Sequence, residues 1–481
     1  MIEVFFMIGA LISLLSEKLS ILFTVFSSLL LFSVWNFTLE FVITVVGLMS
    51  LIFSYSYLKG NPRRKLFYSL MYIFIFAMLL FVSARDWILL YVAWELMNWC
   101  SYFLIHFRES SAARHAARNA LILNFIGSLA LLGAILVYQS VNASLSFGIL
   151  PELSLYLILL AALIKSAQFP FSFWLIDAME APTPASALLH SSTMVAAGAI
   201  LVFKFQAQMI TLAFLIKPLA LLSFFVSALI AIKETNQKKI MAYSTISSVA
   251  LMFYFFDSVF FLPIFTIHAL VKAAMFFLIG TYASQQDYVL DLGLSKRSLT
   301  SILMIFAIAS LAGFPPLGLF WIKAAAVDLI LGSLMLFVTT IYFARFYFTV
   351  FSGGIQPREG VGTKLAIVSL LLSVLFTLPL VNLGVGVTAA IFIVLIPIAA
   401  MTYHWVLFKV VGHLLEKLLY LLTAFKLPTL LVNFDDRIYA LGKKLLVVSE
   451  IVRTWFTGSF RNDVAYIAIS LSILVLGVLL F

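Results

Sequence analysis

Three ionisable residues stand deep inside apolar runs. Glu95 is the ninth residue of the run 87–107, Lys165 is near the middle of 153–175, and Lys272 is near the middle of 259–283. His268 lies one helical turn before Lys272, on the same face. A charge at mid-helix in a bilayer costs about 2.5–3.5 kcal/mol, so such groups are functional candidates unless they reach the interface from a helix end. Their types suit proton exchange. Burial favours the neutral amine of a lysine, and a carboxylate nearby restores the ammonium. Histidine titrates near neutral pH without help. A row of such groups linked by internal water would be a proton path with electrostatic gates.

Three more ionisable groups are shallower. Lys204 lies one residue from a helix end, where snorkelling is the simpler reading, and Arg345 reads the same way. Lys217 precedes Pro218 eight residues into its run and stands between the pathway and interface readings. His190, in the first half of its run, is by itself compatible with an ordinary core histidine.

Two runs are broken by proline. Lys165 is followed by Pro170 in KSAQFPFSFWL, and Pro315 and Pro316 interrupt AGFPPLGLFWIK, which ends at Lys323. Proline frees a carbonyl, and unsatisfied backbone at membrane depth is tolerated only beside protein or water. The breaks share an FP…FW pattern, and each carries a lysine. Paired, interrupted spans in matching positions point to a transporter built of inverted repeats.

The elements that position these residues must be membrane helices. Of the 481 residues, 64% are hydrophobic and only 10% are Asp, Glu, Lys or Arg, against about 25% charged in a soluble domain. Spans are predicted at 2–15, 19–35, 36–58, 66–84, 87–107, 116–138, 153–175, 185–205, 210–232, 240–257, 259–283, 299–322, 324–350, 364–384, 388–408 and 464–481. Residues 1–15, with Glu3 and no basic start, read as a retained helix. The net charge of +10 sits in clusters between spans: Lys59 to Lys65, Arg108 to Arg118, Lys233 to Lys239, Lys296 with Arg297, and Arg358 with Lys364. Each follows an odd-numbered span, so one face collects the positive charge. The positive-inside rule makes that face cytoplasmic and puts the N-terminus outside. Such clusters are no nucleic-acid signal. Residues 409–463 are too charged to span and are predicted to form amphipathic helix along the cytoplasmic interface, touching another subunit. One cysteine, Cys100, excludes a disulfide framework, an iron–sulfur cluster and a Cys-ligated zinc site on this chain.

The motifs carry a resemblance. KSAQFPFSFWLIDAMEAPTPASALLHSSTMVAAG (165–198), WELMNWCSYFLIHF (94–107), ARNALILNFIGS (117–128), KKIMAYSTIS (238–247) and HALVKAAMFF (268–277) resemble the antiporter-like subunits of respiratory complex I and of Mrp-type sodium/proton antiporters. The L-type subunit and the N-terminal part of the large Mrp subunit are the nearest in pattern. The resemblance implies an all-α fold of 14 core helices with two inverted five-helix repeats, followed by a lateral helix and a last span. The chain then divides into N-terminal helices 1–65, a first repeat 66–205, a second 206–350, core helices 351–408, the lateral helix 409–463 and the last span 464–481. It also implies an ion-translocating axis of Glu95, Lys165, His190, His268, Lys272 and Lys323; Lys204 and Lys217 are further candidates from their depth alone.

Departures exist. Ile264 stands where the family often has a second histidine, and Ala196 where large Mrp subunits often carry a lysine. The first two spans are short, and the long C-terminal half of the large Mrp subunit is not expected here. This compact form resembles the extra antiporter-like subunit of archaeal membrane-bound hydrogenase or sulfur-reducing complexes.

The expected function is H⁺ and/or Na⁺ translocation within a complex I-related redox pump. Its expected partners are other membrane subunits, antiporter-like ones included, together with lipid. No glycine motif for a nucleotide and no cofactor or metal ligand set appears, so redox chemistry would belong to other subunits. A redox-independent Mrp-type antiporter, an inorganic-carbon uptake complex and a scaffold without transport are the competing readings, and neighbouring genes would separate the redox pump from the first two.

Overall fold

A computed structural model describes residues 2–30, 39–142, 144–282, 292–314, 317–325, 329–357 and 359–377. The expected helices beyond Thr377, Arg358 in its cluster, and Pro315 and Pro316 all lie outside the described residues. The chain is an all-α, polytopic membrane protein. Among the described residues there is no strand, only isolated bridges such as Asp86 with Ser146.

The helices follow the hydropathy. The first half holds α1 (Ile2–Leu15), α2 (Glu17–Leu30), α3 (Leu39–Tyr57), α4 (Arg64–Ser83), α5 (Trp87–His106), α6 (Ser111–Asn142) and α7 (Glu152–Lys165). Short pieces follow: α8 (Phe173–Asp177), a 3-10 turn (Ala178–Glu180), α9 (Thr183–Leu189), α10 (Met194–Lys204) and α11 (Gln206–Met209). The second half holds α12 (Ala213–Lys233), α13 (Gln237–Tyr254), α14 (Phe261–Tyr282), α15 (Leu299–Ala312), α16 (Phe320–Ala325), α17 (Leu329–Val350) and α18 (Val361–Thr377). Among the described residues, eight helical stretches are long and apolar enough to cross a membrane.

Local sequence sets the helix starts. The Asp86 side chain accepts from the Leu89 N–H at 2.8 Å to cap α5, Asn236 accepts from Lys238 and Lys239 to cap α13, and Ser298 accepts from Ser301 to cap α15. Each satisfies donors that a helix start leaves open. The outer surface is apolar, with Leu11, Phe125, Leu129, Phe214, Val259 and Leu371 exposed. That is the inverse of a soluble protein and the expected state of a lipid-facing wall.

The interior is built around α14, which packs against α18, α9, α3 and α15. Small residues let backbones meet. Gly362 of α18 lies against the Phe277 carbonyl of α14, and the Ser369 hydroxyl donates to the Leu270 carbonyl at 2.7 Å. Such small-residue contacts are how membrane helices associate when burial of apolar area gives no driving force.

Two expected spans need correction. The interruption expected in the run 153–175 begins before Pro170: α7 stops at Lys165, which is therefore a terminal residue and not a central one. The run 185–205 is also divided, because α9 ends at Leu189 and α10 begins at Met194. His190 is the residue that closes α9, not a residue within the first half of one helix. The polar run HSST at 190–193 accounts for this interruption, since Ser and Thr side chains compete for backbone partners. Ser191 and Thr193 here donate to the Ala187 and Leu188 carbonyls.

Candidate functional site

The first break supplies its own hydrogen bonds. Trp174 Nε1 donates to the Ile164 carbonyl at 3.0 Å, the Gln168 N–H to the Leu163 carbonyl at 2.9 Å, and Gln168 Nε2 to the Ser166 carbonyl at 2.9 Å. The Ser166 hydroxyl donates to the Val195 carbonyl at 2.7 Å. Gly198 of α10 sits where a Cβ would collide with the Ala162 carbonyl and the Ser166 hydroxyl. The broken end of α7 is thus held by side chains and by a helix that only glycine lets approach.

Lys165 leaves that end and reaches α5. Its Nζ donates to Asn98 Oδ1 and, at 3.4 Å, to the Trp94 carbonyl, and it lies 4.5 Å from the centre of the Trp94 ring. Glu95 is the neighbouring buried carboxylate, with Ser128, Lys165, Asn98 and Tyr91 around it. Its Oε1 has no hydrogen-bond partner. Asn98, three residues after Glu95 on the same helix face, donates from Nδ2 to Ser128 Oγ at 2.9 Å. Glu95 and Lys165 make no direct ion pair. Asn98 stands between the ammonium and the hydroxyl beside the carboxylate.

The centre is formed by α9, α13 and α14. His268 Nε2 donates to the His190 carbonyl at 3.2 Å, which fixes its tautomer and leaves Nδ1 without a partner. Both ring nitrogens of His190 lack a partner, and the ring stands 5.6 Å from that of Phe276. Lys272 donates to Ser244 Oγ and to the Met241 carbonyl at 3.1 Å.

The second break is closed differently. Gly313 takes a φ of +92° at the end of α15, and Gly318, at φ +47°, lies where a Cβ would meet Ser310. Lys323, on α16, reaches back so that Nζ donates to the Ala312 carbonyl at 2.8 Å and the Leu311 carbonyl at 3.4 Å. It is a cation on the open carboxyl end of a helix, the end that a cation stabilises. Glu95, the most exposed of the six axis residues, is only 6% exposed.

The shallower groups have other partners. Lys204 donates to the carbonyls of Phe81, Val82 and Ala84 at 3.4, 3.0 and 2.5 Å, and so caps α4. Lys217 pairs with Asp257 at 2.8 Å at a partly exposed position. Arg345 caps α12 through the Ile232 and Glu234 carbonyls.

Sequence reasoning missed Asn98, Ser244 and Lys238. Lys238 stood in a basic cluster and at the head of the KKIMAYSTIS motif without a role of its own, yet it is 1% exposed and donates to the carbonyls of Met179 and Ala181 at 2.7 and 2.6 Å. The signal was there: a lysine at a helix start opposes the helix dipole and needs a reason to be present. Among the described residues no group of three His, Cys, Asp or Glu side chains could hold a metal ion. The arrangement can hold and pass protons between amines, imidazoles and a carboxylate.

The profile of the NADH:quinone oxidoreductase/Mrp antiporter transmembrane family matches residues 84–349, more than half of the chain. NADH-quinone oxidoreductase subunit L of Buchnera aphidicola is 33% identical over 355 residues, covering 66% of this chain and 57% of that protein. The chain spans about half the length of the curated relatives it matches. In fold it is similar to a chain of the Mrp complex from Dietzia sp. DQ12-45-1b, with a TM-score of 0.68 at 24% identity, covering 92% of this chain and 55% of that one. It is also similar to a chain of the membrane-bound sulfane sulfur reductase, an archaeal respiratory membrane complex, with a TM-score of 0.68 at 21% identity, covering 84% of this chain and 99% of that one. With the interrupted helices and buried lysines in place, the match leaves one assignment: the chain belongs to the NADH:quinone oxidoreductase/Mrp antiporter family of transmembrane subunits.

Proposed function

We propose that this chain is an ion-translocating subunit of a complex I-related, redox-driven pump in the cell membrane. The carrying observation is the set of buried ionisable groups Glu95 on α5, Lys165 at the end of α7, His190 closing α9, His268 and Lys272 on α14 and Lys323 on α16. At about 2.5–3.5 kcal/mol for each charge at mid-membrane, lipid-embedded packing alone gives no reason to keep them. H⁺ and/or Na⁺ is the transported ion, with protons moving along the axis, and the electron-transfer groups reside on other subunits. The basic face is cytoplasmic, the N-terminus is outside, and residues 409–463 brace neighbouring membrane subunits.

The test is ion flux in vesicles that contain the intact complex. Lys165→Ala and Glu95→Ala are expected to abolish flux while the complex still assembles. Normal flux in both variants would leave a scaffold. A second reading, a subunit of a redox-independent Mrp-type antiporter, is favoured by the 92% of this chain that the Mrp structure covers. Subunits that co-purify decide between them: an iron–sulfur subunit supports the redox pump, and small membrane subunits alone support the antiporter.

A further inference from the structure

Three turns, α3–α4, α5–α6 and α12–α13, close with the 3-10 turn at 178–180 around a cavity of about 570 Å³. Its wall holds four cationic side chains, Arg63, Arg108, Lys238 and Lys239, against one carboxylate, Glu180. Glu109, outside the lining, pairs with Arg63. Even with it counted, cations outnumber carboxylates by four to two. Lys238 is 1% exposed, so part of this charge is built into the protein and not spread on its surface. Lys239 is half-buried, and its side chain makes no hydrogen bond or ion pair among the described residues. Charge of one sign in a cleft with low-dielectric walls draws in the opposite ion.

The neutral groups of the wall are set as donors too. Asn61 Oδ1 accepts from the Arg63 N–H at 2.9 Å, and Asn236 Oδ1 accepts from the Lys238 and Lys239 N–H groups at 3.0 and 3.2 Å. Both asparagines line the cavity. Their oxygens are taken up by backbone, so each offers the cavity its amide N–H pair. Residues at the starts of α4, α6 and α13 also lie in the wall, and a helix start is the positive end of its dipole. Guanidinium forks hold two oxygens of one group at a time, which chloride cannot use. Donors from three separate turns suit a centre with three or four oxygens better than a carboxylate with two.

We propose that this cavity binds a phosphate group, carried by an anionic lipid headgroup or free in solution, and that the bound anion ties the three turns together. The proposal goes beyond the translocation reading and does not depend on it, because binding is read without any transport. A ligand that binds only the folded complex raises its stability by mass action. A basic cluster that serves only membrane orientation would answer to ionic strength alone and would not tell one anion from another.

The test is thermal unfolding of the intact complex, purified in detergent and stripped of lipid. Inorganic phosphate and short-chain phosphatidylglycerol are titrated against chloride, acetate and short-chain phosphatidylcholine at matched ionic strength. Saturable stabilisation by phosphate, by phosphatidylglycerol or by both is expected. Phosphatidylglycerol alone marks the source as lipid, and inorganic phosphate alone marks it as soluble. Two variants locate the site. Lys239→Gln removes a wall charge, and Ala112→Asp places a carboxylate at an exposed wall position. Each should raise the half-saturating concentration at least ten-fold, while Lys239→Arg binds as wild type does. Stabilisation by chloride or acetate equal to that by phosphate would overturn the phosphate assignment, the acetate result in favour of a protein carboxylate as occupant. Wild-type affinity in assembled K239Q and A112D complexes would overturn the site. If K239Q fails to assemble, A112D decides alone, since Ala112 is exposed and its substitution leaves the packing intact.

Discussion

Asn98 gives the sharpest test of how the first half handles its lysine. Its amide uses both ends, accepting from the Lys165 ammonium and donating to Ser128 at 2.9 Å. Asn98→Ala removes the acceptor and leaves Lys165 with the Trp94 carbonyl at 3.4 Å and the Trp94 ring at 4.5 Å. A hydrogen bond to a charged group is worth about 1.5–3 kcal/mol, and more when the group left behind is buried. If that loss falls on the charged form of Lys165 as it exchanges its proton, flux drops by roughly 10- to 150-fold. Asn98→Asp separates this from a packing effect. A second carboxylate beside Lys165 traps the ammonium, so flux falls while the protein stays at least as resistant to heat. The assay is ion flux per assembled complex in vesicles, read beside the thermal unfolding of each variant. Wild-type flux in an assembled N98A complex would refute the bridge, and so would an N98D complex that transports normally.

Three further outcomes are expected. Gly198→Ala should lower thermal stability by about 1–3 kcal/mol and reduce flux, because its Cβ forces α10 off the broken end of α7. Gly133→Ala is the control, with Leu157 Cδ1 at an ordinary 3.5 Å, and a G198A protein as stable as G133A would contradict the close approach. Lys204→Gln should lower the unfolding temperature through loss of the α4 cap, with flux per assembled complex unchanged; lost flux at unchanged stability would place Lys204 in the pathway. Asp257→Asn should shift stability by no more than about 1 kcal/mol, since its pair with Lys217 is partly exposed, and a larger drop in thermal unfolding would mark the pair as structural.

The sequence made the membrane helices legible because long apolar runs bounded by basic clusters leave few alternatives. Helix ends inside the membrane were less legible. Pro170 announces an interruption, but it does not say that α7 stops five residues earlier, at Lys165. Helices end where other donors can take over the carbonyls, and here the Trp174 side chain and the Gln168 backbone N–H do so from downstream positions. The interruption at His190 has no proline at all. It is carried by Ser191 and Thr193, whose hydrogen bonds to preceding carbonyls no hydropathy window registers. Lys238 was hidden for a related reason. Charge counting assigns a lysine to a face of the membrane, and only packing against the turn at Met179 to Ala181 reveals that it points inward.

The two interruptions look alike in sequence and hold their lysines by different forces. Both lysines are associated with the carboxyl end of a broken helix, Lys165 as the last residue of α7 and Lys323 by reaching back to the end of α15. That end carries about half a negative charge from the aligned peptide dipoles, and the backbone fixes it in place. In the second half the carbonyls of Leu311 and Ala312 supply the groups that hold the ammonium. In the first half the ammonium leaves α7 and is held from α5, by Asn98 and the Trp94 carbonyl, with Glu95 nearby carrying an oxygen left without a partner. A fixed dipole cannot be switched off, whereas a carboxylate can be protonated or turned away. On the translocation reading, the variable affinity therefore resides in the first half, where Glu95 changes state, while among the described residues Lys323 rests on fixed carbonyls. Removing the Glu95 charge should accordingly disable exchange at Lys165 before it disturbs Lys323.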